Sequence, residues 1–109
     1  MTSGEDRLLD GPAHELAAAV VSRRASAREV ISAALDRAER SRERLGAFLH
    51  VARAEALAAA EAVDRRVAAG ETPPLAGVPI AVKDTVEVEG LPTTAGSLGL
   101  RGYVAAEDA

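Results

Sequence analysis

Lys83 is the side chain whose type most clearly suggests chemistry. It is the only lysine in a chain that otherwise uses arginine for positive charge, twelve times, and it lies in the segment LAGVPIAVKDT, residues 75–85. A lysine amine can lose its proton and act as a base, whereas an arginine guanidinium in a protein effectively cannot. Burial beside apolar residues favours the neutral amine that a base requires. The alternative is a strand-end lysine whose stem packs while its ammonium reaches water.

Three hydroxyl side chains follow in a glycine-rich loop: Thr93, Thr94 and Ser97. The loop matches neither a phosphate-binding loop nor a dinucleotide-binding pattern, so turn formation is favoured and pocket lining is the alternative. Thr94 and Ser97 are weak candidates for substrate binding. A nucleophilic Ser97 served by Lys83 is disfavoured, because no sharp nucleophile turn surrounds this serine.

The other polar candidates favour structural roles. Asp84 follows Lys83 directly and projects to the opposite face of a strand, which favours a turn or cap role over catalysis. His14 and His50 are far apart and lack ligand-like spacing to acids or to each other. Helix-surface or packing roles are therefore favoured for both histidines, and we expect no metal site.

Composition narrows the possible functions and locations. The 109 residues carry a net charge of -4, with arginines interleaved among acids, so direct nucleic-acid binding is not expected. The absence of cysteine excludes disulfides and cysteine nucleophiles and fits a reducing compartment. The longest apolar run near the N-terminus, LAAAVV, is far shorter than the roughly 20 residues that span a bilayer. We expect a cytoplasmic chain with no cofactor and no membrane contact.

Two helices are predicted in the first half of the chain. The first begins at residue 10 or 11, with Pro12 in its opening position, and runs to about Arg24. The second begins with the capping box formed by Ser26 and Glu29. Its apolar residues recur at helical spacing and form one narrow stripe: Val30, Ile31, Ala34, Leu35 and Ala38.

A third helix is predicted over about residues 51–69, with Gly70 as a left-handed cap and two prolines soon after it. Beyond the prolines the period falls to two, which predicts a strand over residues 78–83 and a second extended run over residues 85–89. Lys83 would lie on the small-residue face of the first strand. Residues 1–70 thus form a helical cover, and residues 71–109 form a strand and loop segment that carries Lys83.

The segment PLAGVPIAVKDTVEVEGLPTTAGS, residues 74–97, resembles the lysine-bearing segment of the amidase signature family. The residues that follow it, up to Ala109, resemble the same family's continuation. The helical region, with SAREVISAALDRAE, GAF and AAGE, resembles the family's N-terminal region more loosely.

This resemblance implies a fold and an activity. The fold class is α/β: residues 1–109 would be the N-terminal part of a single amidase domain, with the helices and first strands of a large α/β/α sandwich that is incomplete in this chain. The activity would be hydrolysis of a small-molecule amide by a triad of a serine, a cis-serine and a lysine, without a cofactor. Lys83 aligns with the triad's lysine.

The chain departs from the family in its serines. None of them lies in the Gly/Ser-rich motif that supplies the family's two catalytic serines and its oxyanion hole: Ser3, Ser22, Ser26, Ser32, Ser41 and Ser97. We therefore expect an N-terminal fragment that is inactive alone. Two alternatives stay open, namely the A subunit of a glutamyl-tRNA amidotransferase and a small helical binding module that is not an enzyme. For each of these forms, the formation of a homo-oligomer also stays open.

Overall fold

The computed structural model describes residues 3–109, which divide into two units with a boundary between Pro79 and Ile80. We call Met1–Pro79 the helical unit and Ile80–Ala109 the loop unit. In the described part of the chain, the helical unit carries four α-helices and the loop unit carries one turn of 3₁₀-helix, Leu98–Leu100. No helix within residues 3–109 has both the length and the apolar character needed to cross a membrane.

The first two helices are short. Helix α1 (Gly4–Asp10) begins after Ser3, whose hydroxyl accepts a hydrogen bond from the backbone N–H of Asp6 at 3.0 Å. Its sequence, GEDRLLD, has only two large apolar residues, and the pattern did not predict it. Helix α2 (Ala13–Val21) confirms the first predicted helix, with Pro12 just before it as the N-cap. This helix ends earlier than expected because Arg23 adopts a left-handed conformation, with φ of 64°.

The second and third predicted helices are confirmed as α3 (Ala27–Leu45) and α4 (Arg53–Ala68). The hydroxyl of Ser26 accepts a hydrogen bond from the backbone N–H of Glu29 at 3.1 Å, as the capping box requires. After α4, Gly70 has a φ of 92°, the left-handed conformation that glycine adopts at little cost.

A carboxylate from α4 completes the N-terminal cap of α3. Asp64 accepts hydrogen bonds from the backbone N–H groups of Ala27 at 2.7 Å and Arg28 at 3.1 Å. Both donors belong to the first turn of a helix, where N–H groups have no partner within the helix. A negative charge at this end is also favoured by the helix dipole. Asp64 therefore caps α3 and holds α4 beside it.

One apolar cluster lies among α2, α3 and α4. Its buried members are Leu16, Val20, Ala27, Val30, Ile31, Leu35, Ala60, Val67 and Ala76. Val20 and Val30 are the largest side chains that are fully buried. Because several members are alanines, which contribute little apolar area each, the unit depends on close approach of its helices.

Gly77 shows how close this approach is. Its φ is 73°, and a Cβ atom added there would lie 2.8 Å from Cγ2 of Val20 and 3.4 Å from Cα of Ala27. The first distance is shorter than carbon atoms tolerate, and a fully buried valine has little freedom to move away. Glycine is therefore required here both for its conformation and for its small size.

Two arginines tie the helices together at the surface. Arg37 of α3 forms ion pairs with Asp6 at 3.0 Å and Asp10 at 2.8 Å. Arg53, at the start of α4, pairs with Asp36 at 2.8 Å and Glu39 at 2.9 Å. The pKa of Glu39 is lowered, mainly by its hydrogen bond to Arg53. These side chains are between 29% and 64% exposed, so water screens each pair and its contribution to stability is small.

The loop unit is held by a short antiparallel pairing of backbone segments. Gly90 donates its N–H to the carbonyl of Ala105 at 2.9 Å, and Ala105 donates to Leu91 at 3.1 Å. One isolated bridge, between Pro92 and Val104, lies in the same stretch. Ala105 is buried.

The prediction of strands is wrong: residues 78–83 and 85–89 form no strand in the structure of residues 3–109. Residues 78–83 run without turn or bend, but their backbone finds no neighbouring strand. Residues 84–86 instead enter a turn. Alternating side chains were read correctly as an extended segment, but a strand exists only when a second segment pairs with it. The α/β fold class is thus confirmed only in its helical part.

Replacement of Asp64 by alanine should destabilise the helical unit by roughly 1 kcal/mol, because two N–H groups of α3 lose their acceptor. The measurement is the free energy of unfolding from urea denaturation followed by circular dichroism. Glu61→Ala is the matched control, because Glu61 makes one exposed ion pair with Arg28 at 3.4 Å and its loss should change stability very little. Equal effects of the two substitutions would contradict the capping role.

Replacement of Gly77 by alanine should lower the melting temperature more than Gly70→Ala does. Both glycines have positive φ values, so both variants carry backbone strain of about 1 kcal/mol. Only at Gly77 does the new methyl group also collide with Val20, since nothing lies within 4 Å of the corresponding position at Gly70. Calorimetry of the two variants measures the difference in melting temperature. A Gly77→Ala variant as stable as Gly70→Ala would show that the apolar cluster can move to accommodate the added methyl group.

Candidate functional site

Lys83 lies at the end of the extended segment, where the chain enters a turn. Its backbone carbonyl accepts the N–H of Val86 at 2.9 Å, which closes the turn and fixes the backbone of Lys83. The side chain itself is exposed, and in the structure of residues 3–109 its amine joins no ion pair. Lys83 is thus positioned through its main chain, while its amine is left accessible.

Asp84 links this turn to the hydroxyl-bearing loop. One carboxylate oxygen accepts the backbone N–H of Thr94 at 2.9 Å, and the other accepts a short hydrogen bond from the Thr94 hydroxyl. The backbone carbonyl of Asp84 also accepts the N–H of Ala95 at 3.0 Å. These bonds join two segments ten residues apart. We call this arrangement the Asp84–Thr94 link.

The Asp84–Thr94 link lowers the pKa of Asp84. The hydrogen bond from the Thr94 hydroxyl is the largest cause, followed by the Thr94 backbone N–H, while partial burial acts in the opposite direction. Hydrogen bonds of this kind favour the charged carboxylate. The pKa of Asp84 is lower in the folded state than in the unfolded state. The link therefore stabilises the loop at pH values above the ordinary pKa of aspartate, and this stabilisation is lost as the pH falls through the folded-state pKa.

Ser97 is also engaged locally. Its backbone N–H donates to the carbonyl of Thr94 at 2.8 Å, and its hydroxyl accepts the N–H of Gly99 at 3.2 Å, capping the turn of 3₁₀-helix. The loop between Thr94 and Ser97 passes through Ala95 and Gly96, whose φ values are 49° and 73°. Turn formation, favoured from the sequence, therefore accounts for the contacts that Thr94 and Ser97 make here.

Thr93 has no partner for its hydroxyl. The residue is 6% exposed, and its Oγ1 is buried without a hydrogen bond among the described residues. Its backbone N–H is satisfied by the carbonyl of Tyr103 at 3.3 Å. A buried hydroxyl without a partner is costly. No local sequence signal distinguishes Thr93 from Thr94, so sequence reasoning could not tell which threonine would be buried and which would bind Asp84.

The segment after the turn is fixed by two further carboxylates. Glu87 accepts a hydrogen bond from the hydroxyl of Tyr103 at 2.5 Å, and this carboxylate raises the pKa of Tyr103. Asp108 accepts the backbone N–H of Glu89 at 2.8 Å. Sequence reasoning did not identify either contact, because the partners are sixteen and nineteen residues apart. Together these bonds hold residues 87–89 against the end of the chain.

The described residues offer one candidate for a base, Lys83, but no complete catalytic set. Residues 3–109 contain no group of three metal-binding side chains close enough to hold an ion. His14 and His50 are exposed and belong to the helical unit. Within the loop unit, the functional groups near Lys83 in the turn are the carboxylate of Asp84 and the hydroxyl of Thr94, which are hydrogen-bonded to each other.

A sequence profile of the Amidase family matches residues 29–109 of this chain. The match covers most of the chain and includes Lys83, Asp84 and Thr94. The chain belongs to the amidase family. The resemblance read from residues 74–97 is therefore confirmed.

Relatives in the amidase family share close to half of the residues of this chain. It is 47% identical over 97 residues to the A subunit of the glutamyl-tRNA(Gln) amidotransferase of Pelobacter propionicus, covering 89% of this chain and 20% of that protein. The A subunit of the Salinispora arenicola enzyme is 54% identical over 92 residues, covering 84% of this chain and 19% of that protein. The chain spans about a fifth of the length of these curated relatives.

The fold also has a counterpart among solved structures. A chain from a vestigial protein complex, which reveals the evolutionary origins of an s-triazine catabolic enzyme, matches with a TM-score of 0.84 and 39% sequence identity. The match covers 91% of this chain and 22% of that chain. An inhibitor-bound form of the same complex matches equally well. The amidase-family chain described here therefore corresponds to one part of a longer polypeptide in its relatives.

Replacement of Thr94 by valine should raise the pKa of Asp84 toward the ordinary value for aspartate, because the largest cause of its lowering is removed. Carbon-13 NMR of the Asp84 carboxyl across a pH titration measures the change. Thr93→Val is the matched control: it removes the neighbouring hydroxyl, which has no partner among residues 3–109, and should leave the titration of Asp84 unchanged. An identical titration in wild type and Thr94→Val would contradict the Asp84–Thr94 link.

Proposed function

We propose that this chain supplies the lysine base of an enzyme that hydrolyses the C–N bond of a carboxylic acid amide. One observation carries the proposal: the Amidase family match runs through the segment that holds Lys83, the chain's one lysine. The position of Lys83 agrees with such a role, since one hydrogen bond to its carbonyl holds its backbone in a turn and its amine joins no ion pair among residues 3–109.

In the proposed reaction, Lys83 accepts a proton through a bridging serine from the serine that attacks the amide carbonyl. The new C–O bond forms a tetrahedral intermediate, and the C–N bond breaks when the relay returns the proton to the departing nitrogen. Water then attacks the acyl-serine while its proton enters the same relay. The bond between the acyl carbon and the serine oxygen breaks as the relay returns a proton to that oxygen, and the acid is released. An arginine could not replace Lys83 in these steps, because its guanidinium stays protonated and cannot accept a proton.

The two serines of this relay are proposed to come from a part of the amidase fold that this chain does not span. The described serine closest in sequence to Lys83, Ser97, already uses its hydroxyl to cap a turn. A lysine base also acts in surroundings from which water is excluded, whereas the side chain of Lys83 is exposed here. We therefore infer that residues 1–109 alone do not hydrolyse amides.

We propose glutamine as the alternative amide substrate, by analogy with the amidotransferase subunits among the relatives. The A subunits of the glutamyl-tRNA(Gln) amidotransferases from Pelobacter propionicus and Salinispora arenicola match the chain at 47% and 54% identity. In that second form of the proposal, the same relay releases ammonia from glutamine in a complex of subunits. For either form we place the activity in the cytoplasm, without direct contact between this chain and nucleic acid.

A chimera tests the role of Lys83. If residues 1–109 replace the matched fifth of the Pelobacter propionicus A subunit, the chimera should release ammonia from glutamine or from a simple amide such as acetamide. Lys83→Arg should lower that rate by about a hundredfold or more, because the positive charge remains but the base is lost.

Two controls accompany the chimera. The unmodified A subunit sets the reference rate, and the separate 109-residue chain should release no ammonia. A Lys83→Arg chimera that keeps full activity would show the proposed base to be wrong. Ammonia release by the separate chain would overturn the inference that it is inactive alone, and would favour a catalytic set within residues 1–109.

A further inference from the structure

The backbone around Lys83 is held at two successive peptide groups. The carbonyl of Lys83 accepts the N–H of Val86 at 2.9 Å, and the carbonyl of Asp84 accepts the N–H of Ala95 at 3.0 Å. The first bond belongs to the turn, and the second comes from the hydroxyl-bearing loop. Because the direction of a side chain follows from its backbone, these bonds fix the direction in which the side chain of Lys83 leaves the main chain.

The Asp84–Thr94 link adds two more bonds at the same place. Thr94 directs both of its donors at one carboxylate, since its N–H donates to Oδ1 of Asp84 at 2.9 Å and its hydroxyl donates to Oδ2. Both side chains are partly buried, so water competes less with these bonds than it does at an open surface. The residue that directly follows Lys83 therefore has little conformational freedom.

A strained residue marks the same contact. Ala95 has a φ of 49°, a left-handed conformation that residues other than glycine rarely adopt. Its N–H is the group that donates to the carbonyl of Asp84. Strain of this kind persists only where surrounding contacts determine the conformation, and it is typical of functional sites. The bonds to Asp84 are the contacts that hold this loop in place.

The amine of Lys83 depends on this backbone for its position. Among residues 3–109 no ion pair includes it, and its flexible four-carbon stem does not by itself define where the amine lies. A general base must reach the group whose proton it accepts, and a displacement of about 1 Å can lower a rate about a hundredfold. A rotation at the Cα of Lys83 would move the distant amine further than it moves the stem.

The link also occupies the carboxylate that is adjacent to Lys83 in the sequence. Both oxygens of Asp84 accept hydrogen bonds from Thr94. A carboxylate paired with an amine favours the protonated amine, which cannot accept a proton. Hydrogen bonds from Thr94 therefore hold a competing partner away from the amine of Lys83.

We propose that Asp84 and Thr94 are positioning residues for the base. The Asp84–Thr94 link orients the backbone from which the amine of Lys83 reaches the reacting group, and it keeps the Asp84 carboxylate from pairing with that amine. The inference rests on the proposed function, because it takes Lys83 to be the base. It assigns Thr94 to the base rather than to the substrate.

Variants of the chimera with the Pelobacter propionicus A subunit test the positioning role. Thr94→Val keeps the shape of the side chain but removes its hydroxyl, and it should lower kcat for acetamide about tenfold or more while KM changes less than about twofold. Thr94→Ser, which retains a hydroxyl, should recover most of kcat. Thr93→Val is the matched control, because it removes a buried hydroxyl that has no partner among residues 3–109, and it should leave kcat unchanged.

A double variant separates positioning from a loss of folded protein. If Thr94 acts through Lys83, Thr94→Val should have no further effect on the rate that remains in Lys83→Arg. A purely structural defect would lower the rate by the same factor in both backgrounds, and that result would overturn the inference. A Thr94→Val variant with a raised KM and an unchanged kcat would also overturn it, since Thr94 would then contact the substrate.

Failure of the proposed function gives a different result, namely full activity of the Lys83→Arg chimera. If Lys83→Arg is impaired but Thr94→Val has the same kcat as Thr93→Val, Lys83 remains the base and only the positioning role is wrong.

Amide hydrogen exchange in the 109-residue chain supplies a readout that needs no activity. The N–H of Val86, which donates to the carbonyl of Lys83, should exchange at least about fivefold faster in Thr94→Val than in wild type, because the turn opens more often without the link. Thr93→Val should exchange like wild type. Equal exchange at Val86 in wild type and Thr94→Val would show that the link does not hold the backbone of Lys83, and would overturn the inference.

Discussion

The backbone of an extended segment needs partners for its N–H and C=O groups, and the two units of this chain meet that need to different degrees. Helices satisfy most of their groups internally, so the four helices between residues 4 and 68 need few backbone partners outside themselves. Residues 78–83 have the alternation of a strand but no neighbour with which to pair. The architecture and the exposure of Lys83 both follow from this difference.

Long-range carboxylate contacts take over where regular pairing is missing. Asp64 joins α4 to the start of α3, and Asp84 joins the turn after Lys83 to a loop ten residues later. Each carboxylate accepts two hydrogen bonds, so each replaces a pairing that backbone groups would otherwise have to supply. In an alanine-rich chain with few large apolar side chains, such specific contacts set the positions of segments that packing alone would leave loosely defined.

Features that depend on neighbouring residues could be predicted from the sequence. Ser26 and Glu29 marked the start of α3, Gly70 marked the end of α4, and residues 74–97 indicated the family. Features that depend on distant partners could not. Nothing local told Thr93 from Thr94, or paired Glu87 with Tyr103, because those contacts exist only once the loop has folded back on itself. The strands were predicted wrongly for the same reason, since alternation reports the shape of a segment and not the presence of its neighbour.

The single exposed lysine also makes the chain chemically selective. An amine-reactive reagent meets only one side-chain amine in all 109 residues, and a protease specific for lysine finds only one peptide bond to cut, the one between Lys83 and Asp84. The rate of acylation at that amine therefore reports on the surroundings of one atom, in the unaltered sequence. Cleavage at that bond would separate the lysine from the carboxylate that anchors the following loop. Because a protease cuts an open turn faster than a closed one, the fraction of cleaved chain measured by mass spectrometry reports how often the turn opens.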